Sequence, residues 1–321
     1  MAILVIGGAG FLGSHIAARL IKQGESVIVM DSMHPDSAHR KKNLTELSSL
    51  GRFYFHEADV SDMRAVLEVF GEKKIDRVCH FQEFDGGLGS FKYAVEAHQR
   101  RLTGMLNICE AAVRARSGNL LFASGAAVYG GASSKHGRVS EEMAPENPET
   151  LEALLYRSLE QTAHAYHKQY GLRCAGFRIF PMYGPRSEQG NPASGILNAA
   201  VSGYPAEVEH SLLECEMDWT YVADIAGGII AAIDKEFGYE IFNLGSGVPV
   251  GLPEFIDKAE TVLGRKISLK VSDSGKEPQN SFIPDIGKAR KVLAYSPKIS
   301  IREGIKRYAE WYQAQKQHKY F

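Results

Sequence analysis

Glycines at regular spacing near the start of the chain have the types and positions needed to hold a phosphate. Residues 3–13 read ILVIGGAGFLG, an apolar run followed by Gly7, Gly10 and Gly13 at intervals of three. Gly8 with Gly10 and Gly13 also fits the pattern G-x-G-x-x-G. Glycine permits a tight turn, lets the backbone approach a pyrophosphate and lets the next helix pack closely on its strand. The spacing therefore predicts a phosphate cradle between a strand and a helix.

An acid follows the cradle at the distance that suits a dinucleotide. The N–H groups of Phe11 and Leu12, at the start of the predicted helix, would face the anion, and Asp31 ends the next apolar run. A carboxylate there accepts from both ribose hydroxyls and repels a 2′-phosphate, so we expect NAD rather than NADP. Basic residues 40–42 lie nearby and could serve such a phosphate. The alternative is a tight turn that holds no ligand.

The elements that position these groups alternate along the chain. Long helical patterns cover 93–116 and 152–170, and a final amphipathic one covers 301–316. Such alternation predicts an α/β protein with a Rossmann-type doubly wound parallel sheet and helices on both faces. The runs of strand type are residues 2–6, 26–31, 52–56, 75–81, 119–124, 173–180 and 240–244.

The sequence pattern of the chain changes after residue 181. Residues 130–150 are rich in Gly, Ser and Pro and are predicted as loop, and 181–192 is irregular. We expect a dinucleotide-binding domain over 1–180, to which 225–245 returns. Residues 181–321 are expected to form mostly a smaller C-terminal α/β lobe that binds the substrate at the carboxyl edge of the sheet.

The composition of the chain limits which kinds of partner it is expected to bind and in which cellular compartment it is expected to lie. With 37 Lys and Arg against 38 Asp and Glu, the net charge is −1, which argues against nucleic acid and membrane surfaces. Four scattered cysteines favour a reducing compartment, and a first strand predicted from Ile3 leads us to expect no signal peptide and a cytoplasmic location. His164 and His167 lack a third ligand at metal spacing, so we expect no metal.

With these motifs placed, the chain resembles the extended short-chain dehydrogenases/reductases. More narrowly, it is similar to the NAD-dependent epimerases and dehydratases of nucleotide sugars, with UDP-glucuronate and UDP-glucose 4-epimerases as close relatives. The matching motifs, in chain order, are GGAGFLG (7–13), ADV (58–60), AVYG (127–130), Tyr156, YGPR (183–186), DWTYVAD (218–224), FNLG (242–245) and the ending from Asp285 to Tyr312.

The resemblance implies hydride transfer between NAD and a nucleotide sugar, with Tyr156 as the base that takes a proton from a sugar hydroxyl. It also implies Asp59 and Val60 beside the adenine, and a homodimer built from the helices at 93–116 and 152–170. Gly125, Arg186 and Lys276 fall at positions expected to meet the substrate, although Lys276 has an uncertain register.

The sequence departs from this family where the reaction takes place. The lysine expected four residues after Tyr156 is Glu160, and residues i and i+4 share a helix face, so a carboxylate there would disfavour the phenolate. Gly125 stands at the usual Ser/Thr position, with Ser124 next to it. Gln82 and Glu83 make the segment beside the dinucleotide bulkier, and Met217 replaces the arginine that clasps a nucleotide diphosphate.

Arg101 occupies the position of a family asparagine, and this suggests an exchange of charges. Our hypothesis is an ion pair between Arg101 and Glu160 in the old catalytic centre; the alternative is that Arg101 faces solvent and Glu160 is an ordinary helix residue. Three functions stay open. The first is an NAD-dependent enzyme in which Tyr156 acts, Ser124 helps and Arg101 or Arg157 supplies a cation. The second is a binder of dinucleotide or sugar nucleotide without turnover. The third is a non-redox enzyme that uses Glu160 or Glu83 as acid/base.

Overall fold

The structure, a computed structural model, describes residues 2–33, 38–82, 91–130, 137–143, 147–148, 150–187, 191–273 and 282–317, with side chains for all of these except 91–94 and 316–317. Two compact units share the chain. The first comprises residues 1–130, 144–178 and 226–242, and the second comprises 131–143, 179–225 and 243–321. The second unit thus takes in residues 131–143, which the sequence assigned to the dinucleotide-binding domain. The binding roles given to the two domains stay predictions.

The strands and helices alternate along the chain. The strands are β1 (Ala2–Ile6), β2 (Val27–Asp31), β3 (Tyr54–Glu57), β4 (Ile75–His80), β5 (Asn119–Gly125), β6 (Gly137–Val139), β7 (Arg173–Ile179), β8 (Met182–Tyr183), β9 (Ala206–Glu209), β10 (Glu216–Met217), β11 (Thr220–Tyr221), β12 (Tyr239–Leu244), β13 (Val250–Gly251), β14 (Leu269–Ser272) and β15 (Phe282–Pro284). The helices are α1 (Phe11–Lys22), α2 (Ala38–Ser48), α3 (Met63–Glu72), α4 (Phe91–Ala115), α5 (Leu151–Tyr170), α6 (Pro192–Ser202), α7 (His210–Leu213), α8 (Val222–Ala232), α9 (Leu252–Leu263), α10 (Gly287–Leu293) and α11 (Ile301–Gln317).

A seven-stranded sheet forms the centre of the first unit, in the order β12-β7-β5-β4-β1-β2-β3. The pairings of β1 with β2 and β4, of β2 with β3, and of β4 with β5 are parallel. Every residue of β1 and β2 is buried, as expected of strands covered on both faces. The Rossmann-type α/β sheet and all seven predicted strand runs are confirmed.

Helix α5 carries two of the predicted site residues, and its start is fixed by a cap. Thr150 accepts a hydrogen bond from the backbone N–H of Ala153 at 3.1 Å, and Gly171 ends the helix with φ 70°. Leu155 and Leu159 pack into an apolar core formed by strands and helices of the first unit. This register places Tyr156 and Glu160 one turn apart on the same helix face.

The second unit has its own apolar core, in which the rings of Trp219 and Phe255 are in tilted contact at a centroid distance of 5.5 Å. Strand β6 pairs in parallel with β15 and lies inside the segment predicted as loop, so that prediction was wrong there. Its partner lies more than 140 residues away, and a three-residue strand has no periodic signal of its own. No helix in the described part of the chain is long and apolar enough to cross a membrane.

Candidate active site

The glycine cradle lies between β1 and α1 and leaves no room for side chains. A Cβ on Gly7, where φ is +72°, would come within 2.7 Å of the backbone at Phe81 and Gln82, and one on Gly13 would collide with the carbonyl oxygen of Gly7. Gly10 caps α1 in an extended conformation and donates its N–H to Gly7 at 3.0 Å. The first turn of α1 carries no acid, so its dipole favours an anion at this end.

Beside the cradle lies a small pocket that is open to solvent. The buried carboxylate of Asp31 forms one wall and accepts hydrogen bonds from the backbone N–H groups of Ala9 at 3.0 Å and Met33 at 3.1 Å. Arg40 donates Nη1 to the same carboxylate at 2.8 Å, and both side chains are at most 1% exposed. The residues lining the cavity are Ile6, Gly7, Met30, Asp31, Ser32, Arg40, Ala58, Val60 and Gln82.

Asp59 and Val60 lie at the same side of the first unit. The Asp59 carboxylate accepts from the Ser61 N–H and hydroxyl at 2.9 and 2.8 Å and pairs with Arg100 at 3.3 Å. The side chain of Asn107 donates to the carbonyl of Val60 at 3.0 Å. Together, a cradle that a Cβ would fill and a cavity walled by a carboxylate fit the adenosine diphosphate half of a dinucleotide.

The reactive half of the predicted site contains an ion pair that the sequence analysis missed. Arg178 donates Nε and Nη2 to the two carboxylate oxygens of Glu160 at 2.8 and 3.0 Å, and both side chains are 4% exposed. The hydroxyl of Ser124, itself 1% exposed, donates to Glu160 at 2.7 Å. Burial opposes the charged form of Arg178, but the hydrogen bonds and charge of Glu160 outweigh it and raise the pKa of Arg178 above its usual range.

These contacts correct the hypothesis of an Arg101–Glu160 pair, because the cation that meets Glu160 is Arg178 on β7. The sequence contained an indication of this pair. Arg178 is a charged residue inside a strand whose other interior residues are apolar and buried, and a buried charge needs a partner of opposite sign. Its guanidinium also lies 4.8 Å from the ring centre of Tyr129, in the short 3₁₀ turn after β5. The alternative reading of Glu160 as an ordinary helix residue is wrong as well.

Arg101 lies beside Tyr156 instead. Its Nη2 donates to the carbonyl of Gln82 at 2.7 Å, and its guanidinium carbon is 5.5 Å from the centre of the Tyr156 ring. Arg101 is 5% exposed, so the expectation of a solvent-facing side chain is also wrong. Burial, reinforced by the charge of Arg101, lowers the pKa of His80 to about 4, so His80 is neutral at neutral pH.

Gly125 makes room for the tyrosine. A Cβ at this position would come within 2.5 Å of Cε2 of Tyr156, so the ring packs directly on the backbone after β5. Tyr156 is partly buried against the core of the first unit. Any larger residue at 125, including the Ser or Thr of the family pattern, would force this ring to move.

The remaining predicted residues lie apart from this cluster or outside the described residues. Arg186 belongs to the second unit, is half-buried and has a left-handed backbone with φ 68°. Lys276 and Glu83 lie outside the described residues. The rings of His164 and His167 lie 4.9 and 6.4 Å from that of Tyr239, which assigns them to packing.

The similarity to known proteins extends over nearly the whole chain. A sequence model of the NAD dependent epimerase/dehydratase family matches residues 3–245. An uncharacterized protein of Methanocaldococcus jannaschii is 33% identical, with 97% of this chain and 95% of that protein covered. A UDP-glucuronate 4-epimerase of Thermodesulfobacterium geofontis is 29% identical, with 96% and 95% covered. The crystal structure of Thermus thermophilus UDP-glucose 4-epimerase in complex with NAD superimposes with a TM-score of 0.81 at 25% identity, covering 98% and 99%. The chain belongs to the NAD-dependent epimerase/dehydratase family.

Proposed function

We propose that this protein binds NAD and transfers hydride to and from a nucleotide sugar, with Tyr156 as the acid–base residue and Arg101 as the cation beside it. The observation that carries the proposal is the guanidinium of Arg101 at 5.5 Å from the Tyr156 ring, where the usual lysine has been replaced. The similarity to a UDP-glucuronate 4-epimerase and to a UDP-glucose 4-epimerase in complex with NAD supports this substrate class and cofactor.

The cofactor would be held by Gly7, Gly10 and Gly13 at its pyrophosphate and by Asp31 at its adenosine ribose. When bound, NAD supplies an acceptor for the hydride that leaves a sugar carbon. Because side chains at Gly7 and Gly13 would meet backbone, the cradle cannot be altered without moving β1, β4 or α1.

Proton transfer falls to Tyr156. A free phenol, with a pKa near 10, is a weak base at neutral pH, and a neighbouring cation favours the phenolate. Arg101 is held in place by the carbonyl of Gln82, which accepts a hydrogen bond from its guanidinium. The phenolate takes the proton of a sugar hydroxyl as the hydride leaves, which is general base catalysis.

Ser124 and Glu160 have positioning roles in this proposal. The hydroxyl proton of Ser124 is directed to Glu160, whose two oxygens are held by Arg178. A carboxylate fixed in this way is poorly placed to exchange protons with a substrate. We therefore do not propose the non-redox reaction that would use Glu160 as acid/base.

Replacing Tyr156 with phenylalanine should lower kcat/KM on UDP-glucuronate or UDP-glucose at least about a hundredfold, the usual minimum for loss of a general base. NAD binding should persist. Product formation by chromatography and absorbance of reduced nicotinamide measure the effect.

Replacing Arg101 with glutamine should move the pH optimum of kcat/KM upward, since the phenolate then forms at higher pH.

Tyr166 provides the control, because it lies on α5 and packs against the same core as Tyr156. Tyr166→Phe should retain wild-type turnover. Equal rates for the Tyr156→Phe variant and the wild type would refute the assigned role. For Arg101, the matched change is Arg114→Gln, on the same helix and 61% exposed, which should leave the pH profile unchanged.

A second candidate is binding without turnover, and the buried Arg178–Glu160–Ser124 cluster favours it. In the family pattern, a lysine in this place serves both tyrosine and cofactor, whereas here the position is closed by an internal ion pair. Calorimetric binding of NAD and UDP-sugar with no absorbance change and no product would select this candidate over the first.

The protein is also proposed to be a cytoplasmic homodimer. All four cysteines are buried thiols, which suits a reducing compartment. Helices α4 and α5 pack together and present the exposed apolar residues Leu106 and Leu154, each just over 40% exposed. Such residues support an interface between copies.

Changing Leu106 and Leu154 together to glutamate should convert the dimer to a monomer in light scattering, because like charges would face each other across a desolvated surface. Leu67 on α3, 37% exposed, is the matched control, and Leu67→Glu should remain dimeric. A wild type that is monomeric at tens of micromolar would contradict the proposed assembly.

A further inference from the structure

Gln82, which follows β4, contacts three parts of the candidate active site. Its backbone lies against the cradle, because a Cβ on Gly7 would come within 2.7 Å of the Gln82 Cα and 2.8 Å of its nitrogen. Its side chain lines the same pocket as Asp31. Its carbonyl oxygen accepts a hydrogen bond from Nη2 of Arg101 at 2.7 Å. Gln82 therefore connects the cradle and the pocket to the cation of the reactive half.

The side-chain amide of Gln82 has an unsatisfied oxygen. Its Oε1 is buried and, within the part of the chain that the structure describes, accepts no hydrogen bond. The ring of His80 lies near this amide but does not supply the missing donor to Oε1. Buried polar atoms are normally hydrogen-bonded, so an acceptor left over on a pocket wall indicates a donor on the ligand. Adenosine carries such donors in its ribose hydroxyls and its amino group.

The carbonyl of Gln82 helps to set the position of Arg101. The preceding residue is fixed to the sheet, since the N–H of Phe81 donates to the carbonyl of Ile6 at 3.0 Å. A planar guanidinium is oriented by the acceptors that its N–H groups meet. The guanidinium carbon of Arg101 lies 5.5 Å from the ring centre of Tyr156. A change in the position of the Gln82 carbonyl therefore changes how this cation faces the tyrosine.

We propose that Gln82 is a positioning residue that couples the pocket to the cation beside Tyr156. Its Oε1 accepts a hydrogen bond from a hydroxyl or amino group of the adenosine half of the dinucleotide, and its carbonyl then holds Arg101 against the tyrosine. The inference rests on the proposed function, since it assumes that the cradle and the pocket hold a dinucleotide. Coupling of this kind is reciprocal, so a change at Arg101 also alters the affinity of the pocket for its ligand.

Isothermal titration with NAD and with ADP tests the side-chain contact. In Gln82→Met, which removes the acceptor and keeps the length, both ligands should bind about tenfold more weakly, because both carry the adenosine donors. Gln23→Met, an exposed glutamine at the end of α1, is the control and should bind as the wild type does. Unchanged affinities in Gln82→Met would overturn the inference and leave the proposed function intact. A wild type that binds neither ligand would overturn both.

A double-mutant cycle tests the coupling. Arg101→Gln should weaken ADP about fivefold, the lower end of the usual range for coupled sites, although Arg101 is not among the described residues that line the pocket. Added to Gln82→Met, the same change should cost less than about twofold, since the route between the two groups is already lost. Arg114→Gln, exposed on the same helix, should leave the affinity unchanged. If Gln82→Met does not fold, an ADP affinity that is unaffected by Arg101→Gln overturns the inference by itself.

The pH profile separates positioning from a merely structural role. With the hydrogen bond to the dinucleotide removed, the carbonyl of Gln82 holds Arg101 less firmly. Gln82→Met should therefore move the pH optimum of kcat/KM upward, in the same direction as Arg101→Gln, whereas Gln23→Met should not move it. A Gln82→Met variant that loses affinity for ADP but keeps the wild-type pH optimum would contradict the coupling.

Discussion

Arg178→Met should lower the free energy of unfolding by about 3–5 kcal/mol, the cost of leaving one partner of a buried ion pair without the other. Glu160 would keep the hydrogen bond from Ser124 but lose both of those from Arg178, at a site where its side chain is 4% exposed. A total stability of about 5–15 kcal/mol is typical for a domain, so the loss is a large fraction of it. Urea denaturation followed by circular dichroism measures the change.

The same strand offers a matched control. Arg173 on β7 pairs with Glu236 at 3.4 Å, but the two side chains are 41% and 87% exposed. Exposed pairs contribute about 0–1 kcal/mol, so Arg173→Met should be nearly neutral. The double variant Arg178→Met/Glu160→Leu should recover most of the stability, since an apolar pair can replace a buried ionic one. Equal losses for Arg178→Met and Arg173→Met would show that Glu160 does not depend on Arg178.

Local patterns were sufficient for the sheet and for the cradle. The runs around β1 and β2 are short, wholly apolar and bounded by glycine or a charge, so strand identity and position follow from few residues. The glycines near the start of α1 are required by backbone contacts within a short stretch of chain, apart from the approach of Phe81 and Gln82. Such constraints are visible in sequence because a single residue type satisfies them.

Pairings between distant elements were not predictable in the same way. Glu160 lies on α5 and Arg178 on β7, and which cation meets the carboxylate depends on how the helix rotates over the sheet. Both Arg101 and Arg178 were compatible with the sign change at position 160. The pairing of β6 with β15 likewise depends on tertiary contact, because neither strand is longer than three residues.

Arg178 and Arg101 each compensate for one effect of having Glu160 where the family has a lysine. Arg178 balances Glu160, so the carboxylate does not act on Tyr156 as an uncompensated negative charge. Arg101 faces the tyrosine ring from α4 and brings a positive charge to it by another route. The sequence predicted that a negative charge, that of Glu160, replaces the positive charge beside Tyr156. In the structure a positive charge still lies beside Tyr156, but it belongs to Arg101.

This rearrangement predicts that restoring the family's lysine will fail. Glu160→Lys would place an ammonium group against Arg178 in a buried site and would remove the acceptor of the Ser124 hydroxyl. Two buried cations without a counter-charge should destabilise the fold by more than Arg178→Met does, by about 5 kcal/mol or more. We expect a protein that is largely unfolded or insoluble at 25 °C, measured by circular dichroism and by the soluble fraction on expression.

The charge-reversed pair separates electrostatics from shape. In Glu160→Lys/Arg178→Glu, a cation and an anion again meet between α5 and β7, so the free energy of unfolding should return to within about 2 kcal/mol of the wild-type value. The remaining difference arises because a lysine cannot form the two parallel hydrogen bonds that an arginine forms with a carboxylate. Glu160→Gln supplies the neutral intermediate and should fall between the two. A stable, active Glu160→Lys single variant would mean that the fold does not depend on the ion pair between Arg178 and Glu160.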